Sequence, residues 1–432
     1  MAIGLLFQQL YNTVDAVVVG RFVGKEALAA VGSTSSIINM LVGLCAGLAT
    51  GASVVISQCY GAHNEKQLHD AVHTTIALTF IMCAIVTVLG LLIVEPMLRM
   101  MSTPEDVFDE ARDYLLIYFA GVSGLLIYNM GSGILRAVGD SRRPLYFLCF
   151  SAIVNIAFDL LFVVRFGWGV VGVAYATILS QFLSALLVLF VLSRDNAPYG
   201  IRWRHLCLKK EMLSRILRIG LPSGVQQGIT SFSNVFVQSY INFFGSACMA
   251  GWSSYNKLDV FILIPVQSLA MASTTFVGQN YGAHQLERAR KGISQTLRMS
   301  LIITTLLSVV AMLLARPLLS LFSPDEDVLG FGVQFITLVS PFYITICFNQ
   351  IYAGALRGVG NAKIPMLVML FSFVVFRQIY LLVNKLLGNS FFFVAIAYPI
   401  GWIVCSVLLT IFYRRSELYR GGSEAAPEAP RS

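Results

Sequence analysis

Residues 58–63 of the chain, QCYGAH, recur as QNYGAH at residues 279–284, a shift of 221 positions. At the same shift, LRAVG at residues 135–139 matches LRGVG at residues 356–360. Further pairs at this offset are Gly24 with Gly245, Ala29 with Ala250, Pro96 with Pro317 and Pro144 with Pro365. Agreement at separate places on one offset, without a gap, indicates an internal repeat. The sequence therefore predicts two lobes.

The composition is that of a polytopic membrane protein. Of the 432 residues, 57% are hydrophobic and only 12% are charged, and the mean hydropathy is +0.75. These values lie far outside the range of soluble globular domains. The net charge of +8 does not indicate nucleic-acid binding, because the basic residues are confined to short loops between apolar runs. That distribution is typical of membrane orientation signals.

Twelve apolar segments are long enough to span a membrane as helices of about 20 residues. They lie at residues 1–20, 27–58, 72–94, 113–135, 145–164, 169–193, 221–243, 248–278, 295–315, 332–355, 366–386 and 391–413. Each lobe then has six spans. Because six is even, both lobes have the same orientation and form parallel repeats. The predicted fold is an all-α polytopic membrane protein with twelve transmembrane helices in two parallel six-helix repeats.

Charged residues predict the orientation and the domain boundaries. Lys and Arg collect after even-numbered spans, above all in residues 194–220, whereas acids collect on the other side, at residues 105–110 and 325–327. Both termini are therefore expected in the cytoplasm. We expect lobes at residues 1–193 and 221–415, a linker at 194–220 along the cytoplasmic surface, and a disordered cytoplasmic tail at 416–432.

Two acidic residues stand inside predicted spans of the first lobe. Asp15 shares a helix face with Gln8 and with Tyr11 or Asn12, and Asp159 follows Ser151 and Asn155 at helical spacing. Burying a carboxylate at membrane depth is costly, so such residues are expected to be functional or paired. Carboxyls in this setting suit H⁺, or Na⁺ when ionised.

The repeat predicts that the lobes differ in chemistry. At the shift of 221, Asp15 aligns with Phe236 and Asp159 with Tyr380, so the second lobe lacks both acids. Cation chemistry is therefore expected in the first lobe. The second lobe offers candidate substrate-binding residues in its first two spans: Gln227, Asn234, Asn256 and Asp259. Arg377 is interpreted as a structural partner.

Other residues do not form a metal or phosphate site. The eight cysteines are scattered singly and read as buried small hydrophobes. His69 and His73 are four residues apart, but no carboxylate or thiolate completes a site with them. No phosphate-binding loop occurs, so direct coupling to ATP is not expected. Two parallel lobes around a cleft are typical of a secondary transporter that works by alternating access.

The motifs LYNTVD at residues 10–15, LRAVGD at 135–140 and GQNYGA at 278–283 resemble the multidrug and toxic compound extrusion (MATE) family. The resemblance covers nearly the whole chain. It implies twelve helices in two lobes and export of a substrate driven by inward flow of H⁺ or Na⁺. The branch it resembles has its coupling acids in the N-terminal lobe. Residues that match that branch are Tyr11, Asp15, Tyr114, Asn129, Asn155, Asp159 and Thr177, whereas Ser132 departs from it.

The resemblance also bears on the start of the chain. The shift of 221 places Pro222 against Met1, so the family's proline-containing lead-in is expected upstream of Met1 or lost by truncation. No cleavable signal peptide is evident.

The expected function is therefore an antiporter that exports drugs or other amphipathic or cationic organic compounds in exchange for H⁺ or Na⁺. Coupling is assigned to Asp15, Asp159, Asn155, Asn129, Tyr11 and Thr177, with Asp15 and Asp159 as the metal ligands if the ion is Na⁺. The substrate cleft is assigned to Tyr114, Ser132, Gln227, Asn234, Asn256 and Asp259. We expect a monomer in the inner membrane of a prokaryote, in contact with lipid, with no cofactor and no nucleic acid.

Two alternatives remain open. A flippase for a lipid or a lipid-linked sugar would have cationic residues lining the cleft, and Lys257 and Arg377 are the candidates. A membrane-embedded enzyme would need clustered His, Cys or acidic residues near one interface, a pattern that the sequence does not show.

Overall fold

A computed structural model describes residues 2–100, 103, 105–195 and 197–420 of the chain. Regular structure in these residues is entirely helical. The first half contains α1 (Ala2–Val18), α2 (Lys25–Gly61), α3 (Glu65–Met100), α4 (Glu105–Ala137), α5 (Arg142–Asp159) and α6 (Gly169–Arg194). Two π-helical segments, Val19–Val23 and Leu160–Arg165, extend α1 and α5.

The second half repeats this order with more interruptions. Its helices are α7 (Lys210–Asn242), α8 (Ser246–Gly282), α9 (Leu286–Leu313), α10 (Ala315–Ser320), α11 (Glu326–Val339), α12 (Tyr343–Gly358), α13 (Lys363–Leu370), α14 (Arg377–Leu386), α15 (Phe391–Arg415) and α16 (Glu417–Arg420). A 3₁₀ turn at Ser340–Phe342 joins α11 to α12, and a π-helical segment at Phe371–Phe376 joins α13 to α14. Each of these pairs therefore makes one continuous span.

Ten helical segments in the described part of the chain are long and apolar enough to cross a membrane. Helices α1 and α7 occupy the remaining two predicted spans. Large apolar side chains such as Leu92 and Ile302 are exposed on these helices, as expected of surfaces that face lipid rather than water. The all-helical, twelve-span prediction is confirmed.

The internal repeat is visible in the backbone. Helices α2 and α8 both have 37 residues and begin at Lys25 and Ser246, 221 positions apart. His63 and His284, which close the two related loops, have φ values of 50° and 56°. Non-glycine residues rarely adopt this left-handed conformation. Two copies of an uncommon backbone geometry at the predicted offset confirm the repeat.

The described chain divides into two compact units, one of Ile3–Gly224 and one that begins at Val225. In the first unit, α2 and the beginning of α7 approach each other through glycines. A Cβ atom on Gly47 would lie 2.1 Å from the backbone N of Gly224, and one on Gly51 would lie 2.6 Å from the N of Gly220. Each helix thus presents two glycines four residues apart, the small-residue spacing that lets membrane helices pack backbone to backbone.

Within the predicted connection between the lobes, residues 210–220 are helical, because α7 begins at Lys210. Hydrogen bonds fasten the connection to α3: the backbone N–H of Arg202 donates to Nε2 of His73 at 2.9 Å, and that of Lys209 donates to the hydroxyl of Thr74 at 3.2 Å. Nδ1 of His73 lies 2.8 Å from the carbonyl oxygen of His69. With Nε2 accepting, Nδ1 carries the proton and donates, so both ring nitrogens of this buried histidine are used.

The start of the connection is held by the Asp195 carboxylate. It accepts hydrogen bonds from the hydroxyl of Tyr199 at 2.9 Å, from Arg143 at 3.1 Å and from the backbone N–H of Ala197 at 3.3 Å. Burial raises the pKa of Asp195, but these hydrogen bonds and the Arg143 charge together outweigh burial and leave the pKa below its usual range. Burial and contact with Asp195 raise the pKa of Tyr199 to about 12.

The C-terminal segment differs in part from the predicted tail. Residues 417–420 form the short helix α16, in which Leu418 is 1% exposed. The guanidinium of Arg290 lies over the ring of Tyr419, 4.4 Å from its centroid. Residues 421–432 of the predicted disordered tail lie outside the described residues.

Candidate functional site

The side chains of Asp15 and Asp159 lie close enough to interact directly in the first unit. Asp159 is fully buried and Asp15 partly buried. No N–H or O–H of the described side chains donates to either oxygen of Asp159, or to Oδ1 of Asp15. Ionised carboxylates only accept hydrogen bonds, and two of them in contact repel each other strongly. The pair therefore needs a shared proton or a cation.

The backbone around the pair is irregular. Asp159 is the last residue of α5 before the π-helical segment Leu160–Arg165, and Asp15 lies four residues before the π-helical segment Val19–Val23. The two π-helical segments contact each other. Val19 and Val163 from these segments, with Val173 of α6, belong to one buried apolar cluster. Single π-helical turns inside membrane helices are frequent at functional sites.

Polar groups without described partners line a small cavity in the first unit. Asn155 precedes Asp159 by one helical turn, and both polar atoms of its side chain lack a partner among the described residues, as does the hydroxyl of Thr177. These two residues and Asn129 line a cavity of about 20 Å³, room for roughly one water molecule. Buried polar groups are nearly always hydrogen-bonded, so each unpaired one calls for an explanation such as a water or an ion.

The remaining first-lobe candidates are dispersed. Tyr114 belongs to the same apolar cluster as the valines, and Ser132 is fully buried on α4. The side chain of Tyr11 lies outside the described residues. Among the described residues, no group of three or more His, Cys, Asp or Glu side chains is arranged to hold a metal ion. Any cation here would therefore also use amide, hydroxyl or water oxygens.

The second unit contains a larger cavity, with a volume of about 230 Å³. Asn234, Asn256 and Asp259 of the predicted substrate residues line it, and Gln227 does not. The other lining residues are Thr230, Trp252, Tyr255, Leu263, Val266, Gln267, Ile346, Asn349, Gln350, Phe373, Arg377, Tyr398 and Trp402. Lys257 is exposed on α8, with its ammonium 5.2 Å from the ring centroid of Phe322.

The Asp259 carboxylate is held by two tyrosines. The hydroxyls of Tyr343 and Tyr255 both donate to its Oδ1, the latter at 3.3 Å, and the two hydroxyls are 2.9 Å apart. No described group donates to the second oxygen, Oδ2. Two hydroxyl donors on one oxygen suit an ionised carboxylate, which accepts only.

Arg377 is a buried cation on the same cavity. Only 3% of it is exposed. One Nη donates to the hydroxyl of Ser233 at 3.0 Å and to the amide oxygen of Asn234 at 2.8 Å, whereas Nε has no acceptor among the described residues. The guanidinium carbon lies 4.8 Å from the ring centroid of Tyr398. In the described part of the chain, neither Arg377 nor Asp259 forms an ion pair.

Sequence reasoning missed the aromatic part of this cavity and gave Arg377 a purely structural role. Tyr255 and Tyr343 are 88 residues apart, so no local pattern joins them to Asp259. The repeat offers a signal: Asn129 aligns with Gln350, Thr177 with Tyr398 and Gln181 with Trp402, each pair lining the cavity of its own unit. The two cavities therefore occupy related places in the two repeats.

A helical membrane protein of two six-helix repeats, with buried ionisable groups in both, has the architecture of a two-lobe secondary transporter. The chain belongs to the MATE family of transporters: the family profile described as MatE matches residues 1–161 and 222–383. MATE proteins carry out multidrug efflux and couple it to ion gradients.

Known proteins resemble the chain over most of its length. It is 28% identical over 423 residues to the probable multidrug resistance protein YoeA of Bacillus subtilis (strain 168), covering 95% of this chain and 90% of YoeA. It is 26% identical over 340 residues to an FAD transporter of Shewanella oneidensis, covering 77% and 75% of the two chains. A solved MOP superfamily transporter from Pyrococcus furiosus superposes with a TM-score of 0.91 at 26% identity, covering 97% and 94%.

Proposed function

We propose that the protein is a secondary antiporter that exports organic compounds in exchange for H⁺ or Na⁺, and that the cation binds at Asp15 and Asp159. The observation that carries this proposal is the direct interaction between the partly buried Asp15 and the fully buried Asp159, whose two oxygens receive no described donor. Such a pair is costly unless its charge is compensated. Binding of one proton or one metal cation removes that cost, so occupancy and conformation become linked.

The neighbouring polar groups can stabilise the ionised state of the Asp15 and Asp159 pair. With a proton on the pair, one carboxyl donates to the other and the site is self-contained. When the proton leaves, the ionised pair needs donors, and the unpaired amide of Asn155 and hydroxyl of Thr177 are suited to turn towards it. A Na⁺ ion would instead take oxygens from Asp15, Asp159 and neutral groups such as Asn155 and Asn129. In the outward state the cation enters, and its binding drives substrate release and return of the lobes.

Membership of the MATE family supports a proposal about where and in what form the protein acts. As a multi-pass transporter with bacterial relatives, the protein is proposed to act in the inner membrane, as a monomer with both termini in the cytoplasm. The lobes, the connection and the tail are proposed at the predicted boundaries, except that α7 begins at Lys210. We propose no enzymatic activity, no cofactor and no nucleic-acid partner.

Arg377 favours one alternative, export or flipping of a lipid or lipid-linked sugar, because it brings a buried cation to a cavity. Lys257, the other candidate cation, is exposed beside Phe322. Competition by a lipid-linked sugar for efflux of a small organic cation would favour this alternative. Absence of competition favours the soluble substrate.

The test is efflux of a fluorescent organic cation from vesicles in which either a proton gradient or a Na⁺ gradient is imposed alone. Asp15→Asn and Asp159→Asn keep the size of each side chain and remove its titratable charge. We expect both variants to abolish gradient-driven efflux, and the gradient that supports wild-type efflux to identify the coupling ion.

Asp109→Asn is the matched control, because Asp109 is an exposed carboxylate whose ion pair with Arg112 lies at the helix surface. It is expected to transport at the wild-type rate. Efflux that is unchanged in Asp15→Asn and Asp159→Asn, at equal expression, would overturn the assignment of coupling to the first lobe.

A further inference from the structure

The second-unit cavity holds two opposite charges that do not neutralise each other. Asp259 is bound by tyrosine hydroxyls and Arg377 by Ser233 and Asn234, and neither has an ion-pair partner in the described part of the chain. A buried charge is costly without a counter-charge. Nε of Arg377 has no described acceptor, and the two described donors to Asp259 both bind its Oδ1 rather than Oδ2. The cavity therefore offers no anionic partner to Arg377 and no cationic partner to Asp259.

We propose that this cavity binds a zwitterionic organic compound, with its ammonium group on Asp259 and its carboxylate on Arg377. A guanidinium is suited to carboxylates because its donors form a planar fork. A free carboxylate oxygen is a natural acceptor for an ammonium group. A ligand with a single charge would leave one of the two protein charges without a counter-charge.

The lining residues and the volume of the cavity indicate the size and the aromatic character of the ligand. Five aromatic side chains line the cavity, and Tyr398 is central among them: its ring centroid lies 5.2 Å from that of Trp252 and 6.1 Å from that of Trp402. An engineered cavity of about 150 Å³ holds benzene, so about 230 Å³ accommodates one ring with a short charged substituent at each end. Aromatic faces favour a flat ring in offset or edge contact.

The comparison between repeats supports a specialised ligand site. The first-unit cavity has Thr177 and Gln181 where this cavity has Tyr398 and Trp402. Asp259 aligns with Ile38, an apolar residue that packs in a buried cluster. Asp259, Tyr398 and Trp402 therefore have no acidic or aromatic counterparts at the aligned positions of the first repeat. The chemistry of this cavity is distinct from that of the carboxyl pair.

This inference rests on the proposed function in one respect, since the zwitterion is taken to be a transported substrate. Binding itself needs no gradient, so it is measured on purified full-length protein in detergent. In a Trp168→Phe, Trp203→Phe background, the remaining tryptophans are Trp252 and Trp402, which both line the cavity. Their fluorescence then reports occupancy.

The probes are 4-(aminomethyl)benzoate, which carries both charges, and the single-charge analogues benzylamine and benzoate. We expect the zwitterion to bind at least about tenfold more tightly than either analogue, since a hydrogen bond to a charged group contributes that much affinity or more. Asp259→Asn is expected to weaken the zwitterion and benzylamine by about tenfold or more and to leave benzoate unchanged. Arg377→Gln is expected to show the reverse pattern.

Controls separate folding and transport from recognition. Because Arg377 also anchors α14 to α7, benzylamine binding by Arg377→Gln shows that this variant is folded; if it does not fold, the Asp259→Asn pattern decides. Glu326→Gln changes an exposed carboxylate of the same unit and is expected to bind all three probes normally. Asp159→Asn is expected to lose coupled efflux but to keep the preference for the zwitterion over benzylamine and benzoate, because that preference depends on Asp259 and Arg377, and this distinguishes failure of antiport from failure of this site.

Equal affinity for all three probes, no binding of any of them, or unchanged zwitterion affinity in Asp259→Asn would overturn the proposal.

Discussion

The close approach of α2 and α7 gives the sharpest test of the structure. Substitution of Gly47 by Ala adds a Cβ 2.1 Å from the backbone N and 2.3 Å from the Cα of Gly224, whereas ordinary contacts begin at 3.4 Å. The obstacle is backbone, so no side chain can rotate away, and the helices must separate by more than about 1 Å. Overpacking usually costs about 1–3 kcal/mol. Because contact along the glycine face is lost as well, we expect the upper end of that range.

The assay is reversible unfolding in mixed micelles with increasing denaturing detergent, followed by helical circular dichroism. Gly133→Ala is the matched control, because Gly133 faces the same helix α2 but its added Cβ would lie 3.6 Å from the carbonyl oxygen of Ala49, an ordinary contact. A cost of about 3 kcal/mol raises the fraction unfolded more than a hundredfold. Equal unfolding midpoints for Gly47→Ala and Gly133→Ala would refute the glycine-mediated packing.

Three other perturbations probe the connection and the C-terminal helix. His73→Leu removes the acceptor of the Arg202 N–H in a part-buried hydrogen bond. Loss of such a bond costs about 0.5–1.5 kcal/mol, so trypsin is expected to cleave near Arg202 several-fold faster, and an unchanged rate contradicts the attachment of the connection to α3. The pKa of Asp195 is lowered, so its contacts are fully formed above the ordinary carboxyl range and are lost as the pH falls through the lowered pKa. Hydrogen exchange of residues 195–201, corrected for intrinsic rates, is expected to rise at that acidic step, and the step is absent in Asp195→Asn; a step that persists in the variant argues against this carboxyl. Leu418→Ala truncates a side chain that is 1% exposed, a change that usually costs about 2–5 kcal/mol; faster tryptic removal of the C-terminal segment is expected, and wild-type kinetics would mean that α16 is not docked.

The sequence was sufficient to predict the architecture, because membrane spans can be recognised from local composition and the repeat from a constant offset. It also singled out Asp15 and Asp159, since an acid in an apolar run stands out without tertiary information. The contact between them depends on how α1 and α5 pack. The tyrosines around Asp259 escaped notice because phenols are ordinary in membrane helices. His73 lies near the start of a long helix, and its partner is a backbone N–H of the connection, which no side-chain motif reveals.

The π-helical segments lie at different aligned positions in the two repeats. In the first repeat the segment follows Asp159, at Leu160–Arg165; in the second it ends just before Arg377, at Phe371–Phe376. A π-helical turn takes up one extra residue, which rotates all later side chains by about 100° around the helix axis. Arg377 aligns in sequence with Ile156. A π-helical turn precedes Arg377 but follows Ile156, so the two side chains point in different directions around their helix axes. After a duplication, a shift in the position of one π-helical turn can thus turn a charged side chain towards a cavity without leaving a gap in the alignment. Residues 156–159 and 377–380 must therefore be compared by their positions in space.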